Sequence, residues 1–266
     1  MSISVLMAVY DGDKTRFLDQ SLRSLLNQDL KAKEVIIVKD GYVRKDICDI
    51  IKKYKKDLNI IEVQIPINVG LAMALNEGLK YCQYDYIARM DADDICKHNR
   101  LIIQEQFLIK NPEIDIVGSY VQDIDSEGNK LKIVKYPENH KKCYSRFAYR
   151  DPVAHPSVMF RRRYFLKAGM YNKKYRKNQD SILWMNGFLK GCLFANIPQV
   201  LLYFRTDNDF YKMRRGGFEK AKEILKLRIR INRKMKYGLN AYIYTIIIFI
   251  IRLLPDSILR IFYSKR

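Results

Sequence analysis

A chain of 266 residues with 48% apolar and 29% charged side chains is long enough to bury one substantial core and is not a disordered polymer. Its five cysteines are scattered, with no Cys-x-x-Cys pair and no histidine pair at zinc spacing, which excludes a disulfide framework and a structural zinc site. The net charge of +20 points to nucleic acid, an anionic membrane or an acidic substrate, and residues 205–266 hold 16 Lys and Arg against 5 Asp and Glu, more than half of that excess.

The N-terminal run lacks a basic leader and a small-residue cleavage site, so Ile3 to Val9 reads as a first strand rather than a signal peptide. Its continuous apolar character is that of a strand buried on both faces. Thr15 to Gln28 follows with Phe17, Leu18, Leu22, Leu25 and Leu26 at helical spacing. Next come a strand at Glu34 to Val38, a helix at Lys45 to Tyr54 and a strand at Ile60 to Gln64. Gly70 to Tyr81 is a predicted helix, Tyr84 to Met90 a strand, and Leu101 to Ile109 a helix stopped by Asn111-Pro112. Such alternation predicts an α/β fold with a mostly parallel, doubly wound sheet, whose ligands bind beyond the carboxyl ends of the strands.

After Asp115 the alternation loosens. Ile116 to Ile124 and Leu131 to Tyr136 flank Asp125-Ser126-Glu127-Gly128-Asn129 and predict a hairpin. Later strands are expected at Ser157 to Phe160 and Val200 to Arg205, with helices at Arg162 to Ala168 and Ser181 to Leu189. The chain thus divides into an α/β domain over residues 1–210 and a basic, apolar helical tail over residues 211–266. Within the tail, Phe218 to Lys236 predicts a basic helix, Gly238 a break, and Leu239 to Ile251 an uncharged run rich in Ile, Tyr and Phe. That run falls short of the roughly 20 apolar residues of a spanning helix. It fits an interfacial segment with basic flanks, or equally a helix packed on the domain.

Four segments carry chemistry. Arg89-Met90-Asp91-Ala92-Asp93-Asp94 ends a buried strand, and three carboxylates so close repel one another unless a cation compensates. Asp91 and Asp93 could share a hard cation such as Mn2+ or Mg2+, which takes oxygen ligands and substrate phosphates; an acidic helix start is the plainer alternative. Asp40, before Gly41 at a strand end, could accept hydrogen bonds from a base or ribose, or simply form a turn. Asn68-Val69-Gly70 enters a helix whose N-terminus favours phosphate, or is a plain helix start. Asp180, in Asn178-Gln179-Asp180-Ser181, is either an N-cap or a general base. His155 is read as a hydrogen-bonded histidine before Pro156, with an acceptor-side role as the lesser alternative.

In this order and spacing, these segments resemble the family 2 glycosyltransferases of the GT-A fold, bacterial surface-polysaccharide type. The matching text runs from Ile3 to about Arg205 and includes Val5-Leu6-Met7-Ala8-Val9-Tyr10, Ile36-Ile37-Val38-Lys39-Asp40-Gly41, Asn68-Val69-Gly70-Leu71-Ala72 and Tyr86-Ile87-Ala88-Arg89-Met90-Asp91-Ala92-Asp93-Asp94. The resemblance implies that Ala8, Tyr10, Asp11 and Asp40 hold the base and ribose of a nucleotide-sugar, with Asn68, Gly70 and Asp91 beside them. It implies that Asp91 and Asp93 are the family's Asp-x-Asp, Asp93 being the more direct metal ligand, and that Asp180 is the catalytic base. The expected activity is inverting, metal-dependent sugar transfer, with UDP as the default nucleotide, to a glycan or lipid-linked glycan in capsule, exopolysaccharide or lipopolysaccharide assembly. The expected location is cytoplasmic, peripheral on the inner membrane face.

The chain departs from the family in having Asp11 for a frequent Asn, Lys39 for the first of two Asp, and Gln179 for the usual Glu. It lacks the Gln-x-x-Arg-Trp motif of processive polymerases near Trp184, so one sugar per encounter is expected. A sugar nucleotidyltransferase is the alternative enzyme class. Nucleic-acid binding is disfavoured, because the basic excess flanks an Ile-rich run rather than interleaved stacking aromatics.

Overall fold

The computed structural model describes residues 2–206 and 218–253. The expected start of the tail near Tyr211, the boundary between residues 210 and 211, and the segment after Leu253 lie outside the described residues.

The first half alternates as the apolar periodicity requires: β1 (Ile3–Val9), α1 (Thr15–Leu26), β2 (Glu34–Asp40), α2 (Lys45–Tyr54), β3 (Ile60–Ile65), α3 (Leu71–Leu79) and β4 (Tyr86–Arg89). β3, β2, β1 and β4 form one parallel run, with Leu6 opposite both Ile36 and Arg89. Strand side chains alternate between faces, and the core records it. Ile3, Val5, Met7 and Val9 join Val35 and Ile37 on one side, while Leu6, Ile36 and Val38 pack on the other. Burial on both faces keeps these strands mostly apolar, and the buried Ser4 and Glu34 satisfy each other, the Ser4 hydroxyl donating to Glu34 Oε1 at 2.7 Å.

The second half mixes directions. It comprises β5 (Ile95–Cys96), α4 (Arg100–Lys110), β6 (Ile116–Ile124), β7 (Lys130–Val134), α5 (His140–Phe147), a 3-10 turn (His155–Ser157), β8 (Met159–Arg161), α6 (Arg163–Ala168), α7 (Gln179–Leu189) and β9 (Phe194–Arg205). β8 inserts between β4 and β6, antiparallel to both; β9 runs parallel to β6, and β5 caps the far edge. The parallel character is therefore confined to the first four strands and the β6–β9 pair. The β6–β7 hairpin forms as expected. Helix α5 was not foreseen, because its sequence His140-Lys141-Lys142-Cys143-Tyr144-Ser145-Arg146-Phe147 buries only Cys143 and Phe147 and shows little apolar periodicity. β9 begins six residues before the expected Val200.

The C-terminal helices α8 (Phe218–Lys234) and α9 (Leu239–Leu253) form a hairpin pinned by the buried Asn232 Nδ2–H to Thr245 Oγ1 hydrogen bond, 3.1 Å. Leu227, Ile231 and Met235 enter the core beside Phe147 and Trp184. Of the two tail readings, packing on the domain is realised for the inner faces. Ile243, Ile246, Ile247 and Ile250 remain about half exposed on α9. Among the described residues no helix is long and apolar enough to cross a membrane.

Candidate active site

β1, β2 and β4 are parallel, so the loops after them leave from the same carboxyl end of the sheet. After β4 the chain turns sharply, and carboxylate oxygens of Asp91, Asp93 and Asp94 come within 4.8 Å of one another. Asp91 is half-buried and accepts a hydrogen bond from Arg89 Nη2. Arg89 is 2% exposed, and its Nε and Nη1 have no partner among the described residues. Asp91 thus neutralises a guanidinium buried at the strand end, and the guanidinium orients Asp91. Asp94 is fully buried; its Oδ1 accepts the Arg205 N–H at 2.9 Å, and its Oδ2 has no partner among the described residues.

Crowding shifts these acids. Burial, then repulsion from Asp91, pushes Asp93 up to about 6, and Asp94 is raised well above the usual carboxylate range by burial and by both neighbours. A buried orphan oxygen in a cluster of carboxylates that resist joint ionisation is what a hard divalent cation would correct, so the residues fit one. Asp94 was outside the pair expected to bind it. Its bond to the β9 backbone makes it a brace, while Asp93 keeps the most solvent-accessible surface of the three, although protein packed around its carboxylate desolvates it.

A fourth carboxylate arrives from β1. Asp13 takes the Tyr10 N–H on Oδ2 at 2.9 Å and is pushed up to about 7, by burial first and by repulsion from Asp93 and Asp91. The Tyr10 phenol is raised by burial and by the charges of Asp13 and Asp93, which places that half-exposed ring beside the acidic turn. Asp11 is exposed, and its Oδ1 accepts the Arg44 N–H. Ala8 is half-buried beneath, in register with Val38.

Asp40, Asn68 and Gly70 meet in one knot. Asp40 Oδ1 accepts the Val69 N–H at 2.8 Å and Oδ2 the Gly70 N–H at 2.9 Å, while Asn68 Nδ2 donates to the Asp40 carbonyl. The Asp40 carboxylate is therefore the clamp that fixes the entrance to α3. Gly41 and Gly70 both have positive φ (83° and 89°), and a Cβ on Gly41 would come 2.6 Å from the Asn68 nitrogen. The tight approach requires glycine at 41.

From the second half, α7 brings Asp180. Its N-cap is Asn178, in the left-handed region at φ 55°, so Asp180 stands in the first turn and is not the cap. The Asp180 Oδ1 accepts the Ser181 N–H. Burial, and then the charge of Asp151, push Asp180 up to about 6. Asp151 in turn accepts the Ser181 hydroxyl and Arg228. A cavity of about 420 Å3 is lined by both Asp91 and Asp180, with Arg89, His155 and Gln179 around it. His155 is buried with Nε2 2.7 Å from the Tyr171 hydroxyl, the arrangement read for it from sequence. Tyr10, Asp40, Asn68 and Asp93 do not line this cavity; they belong to the ends of β1 and β2, the entrance to α3 and the turn after β4.

Sequence reasoning missed Asp13, Asp151 and Arg205. Arg205 is 4% exposed; besides its N–H to Asp94, its guanidinium bonds the Asp93 carbonyl (2.9 Å), Gln20 Oε1 (2.6 Å) and the Asp125 carbonyl (2.9 Å). An arginine at a strand end carries no local signal for such a role.

Comparison with known proteins decides the family. The model for glycosyl transferase family 2 matches residues 4–169. The chain belongs to that family. It is a glycosyltransferase. Over 98% of its length it is 33% identical to the UDP-Gal:alpha-D-GlcNAc-diphosphoundecaprenol beta-1,3-galactosyltransferase of Escherichia coli, covering 95% of that protein. It is 30% identical to the amylovoran biosynthesis glycosyltransferase AmsE of Erwinia amylovora, covering 98% of each chain. Among solved structures, S. aureus TarS 1-349 in complex with UDP-GlcNAc superposes with a TM-score of 0.67 at 18% identity, over 97% of this chain and 83% of that one. The shared architecture is the GT-A fold, with a mixed rather than uniformly parallel sheet. The transferred group is thus a glycosyl group, and the nucleotidyltransferase alternative falls.

Proposed function

We propose that this glycosyltransferase moves a single sugar from a UDP-sugar to a lipid-linked glycan acceptor, inverting the anomeric carbon, in surface-polysaccharide assembly. The observation that carries this reading is the cavity lined by both Asp91 and Asp180, which sets a candidate base against the acidic turn. The UDP-Gal-dependent Escherichia coli relative supports the donor class, and the amylovoran biosynthesis role of AmsE supports the setting.

Ala8, Tyr10, Asp11 and Asp40 receive the base and ribose, and the Asn68–Gly70 entrance to α3 lies beside them. Asp93 and Asp91 would hold Mn2+ or Mg2+, which when bound neutralises charge on the departing nucleoside diphosphate. Asp180, with its affinity for protons raised to about 6 by burial and Asp151, takes the proton of the acceptor hydroxyl. That oxygen forms the new bond to the anomeric carbon as the bond to the donor phosphate breaks on the opposite face. Arg89 holds Asp91 in place, and Arg205 holds the acidic turn to β9. The half-exposed isoleucines of α9 and the basic α8 support a peripheral position on the cytoplasmic membrane face.

The test is calorimetric titration of UDP, GDP, dTDP and CDP, each with Mn2+ and with EDTA, against wild type and Asp93→Ala. Binding of UDP that requires Mn2+ and vanishes in the folded variant is expected. Binding of another nucleotide alone would replace UDP, and metal-independent binding would remove the acidic turn from its role.

A further inference from the structure

Next to the cavity of Asp91 and Asp180 lies a second one of about 580 Å3, enclosed by β7, α5 and the C-terminal helices. The two share Lys132, Arg146, Arg150 and Asp151, so they adjoin without an intervening element. Among the described residues the second cavity is lined by Lys132, Lys135, Arg146, Arg150, Arg228 and Arg252, with Asp151 as its one acid. Its apolar lining includes Ile224 and Leu227 of α8 and Ile248 and Phe249 of α9. Arg228 and Arg146 are held in place, Arg228 by the Asp151 carboxylate and the Phe147 carbonyl, Arg146 by the Asp151 carbonyl. Arg150 is exposed and braced through Nε–H to the Tyr244 hydroxyl at 3.2 Å.

One acid among six cations leaves a strong positive field in a cavity with low-dielectric walls, which concentrates multiply charged anions. The apolar lining comes from α8 and α9 together, and α9 has two apolar faces: Ile248 toward the cavity, and Ile243, Ile246, Ile247 and Ile250 toward the outside. An occupant must therefore be anionic at one end and apolar at the other.

We propose that this second cavity is the acceptor subsite, and that it takes the diphosphate of a prenyl-diphosphate-linked sugar, the cations holding the diphosphate and α9 the first part of the prenyl chain. The proposal rests on the lipid-linked acceptor read above and gives it a place. A sugar attached to a diphosphate held there has only the shared wall to pass before it reaches Asp180, and the prenyl chain leaves along the exposed isoleucines into the bilayer.

Farnesyl diphosphate is the probe, titrated into the full-length protein in EDTA so that the acidic turn cannot hold it through a metal. Wild type is expected to bind it, and Lys135→Glu/Arg150→Glu, both at exposed positions, to bind it at least ~10-fold more weakly, the size of one lost charge-assisted hydrogen bond. Lys135→Gln/Arg150→Gln should fall between them. UDP binding with Mn2+ should be the same in all three proteins, which also reports folding. Equal affinity for farnesyl diphosphate in all three, or no binding by a wild type that still binds UDP, overturns the subsite. Farnesol binding as tightly as farnesyl diphosphate removes the phosphate assignment, and inorganic pyrophosphate binding as tightly removes the lipid. Farnesyl diphosphate binding without any UDP binding would support the subsite while sinking the donor reading.

Discussion

Arg228 of α8 reaches the carboxylate of Asp151, Nη2 to Oδ1 3.1 Å, and Asp151 is the charged group that raises Asp180. A residue from the C-terminal helices is thereby coupled to the proposed base through one carboxylate. Removing the cation leaves Asp151 less compensated and makes ionisation of Asp180 harder. The acid limb of kcat against pH, expected near pH 6 in the wild type, should move to higher pH in Arg228→Ala and to lower pH in Asp151→Asn. Superimposable limbs in the three proteins would show that Asp151 does not tune the base.

Asp180→Asn keeps the shape of the site and removes the proton acceptor. It should lower kcat at least ~100-fold while leaving UDP affinity with Mn2+ unchanged. Single-turnover rates together with calorimetry check both halves, and near-full turnover would exclude Asp180 as the base.

The same substitution has a sign in stability. Asp180 is raised in the folded state to about 6 from an ordinary 3.8, so the folded chain binds the extra proton. The corresponding stability is fully present below pH 3.8 and is lost as pH rises through about 6. At pH 7.5 the wild type carries a buried charge that Asp180→Asn lacks. The variant should have the higher Tm at pH 7.5, and the gap should shrink toward pH 4.5, as followed by thermal unfolding.

Arg205, in β9, ties the acidic turn to the β6–β7 turn and to α1, bonding the Asp94 carboxylate, the Asp93, Asp125 and Ser126 carbonyls and Gln20. Arg205→Met keeps the N–H to Asp94 but orphans the Asp93 and Asp125 carbonyls. A loss of about 2–4 kcal/mol in urea unfolding is expected from broken charge-assisted bonds. The increase in Tm that Mn2+ gives the wild type should also shrink, and an unchanged response to Mn2+ would separate Arg205 from the site.

Ile246 and Ile250 are half exposed on α9, whereas Leu227 and Ile231 of α8 are core residues. Deleting both helices would therefore open the core, and substitution is the cleaner probe of membrane contact. Ile246→Asp/Ile250→Asp should float poorly with anionic liposomes while retaining UDP binding. Undiminished flotation would show that α9 does not meet lipid.

The elements of the first half were legible because strands buried on both faces are mostly apolar, and Ile3–Val9 and Glu34–Asp40 are so except at Ser4, Glu34, Lys39 and Asp40. The acidic turn was legible for a related reason: Asp91, Asp93 and Asp94 are neighbours in sequence, so their repulsion is local. α5 was not, since the face it buries is two residues wide. The strand order beyond β4 was not legible either, because pairing of β8 with β4 and β6 is a choice among distant partners of similar apolarity.

The amino-acid order alone determined the periodicities, the Asp-rich strand end and the basic C-terminal helices, since each depends on residues within a few positions of one another. Only the tertiary structure decided that Asp180 joins Asp91 in one cavity, that Asp13 adds a fourth carboxylate, that both oxygens of Asp40 bind the start of α3, and that Arg205 and Arg228 reach the site from the far end of the chain. Those relations span up to 112 positions. They depend on the free energy of a whole sheet closing, and no local window of residues contains it.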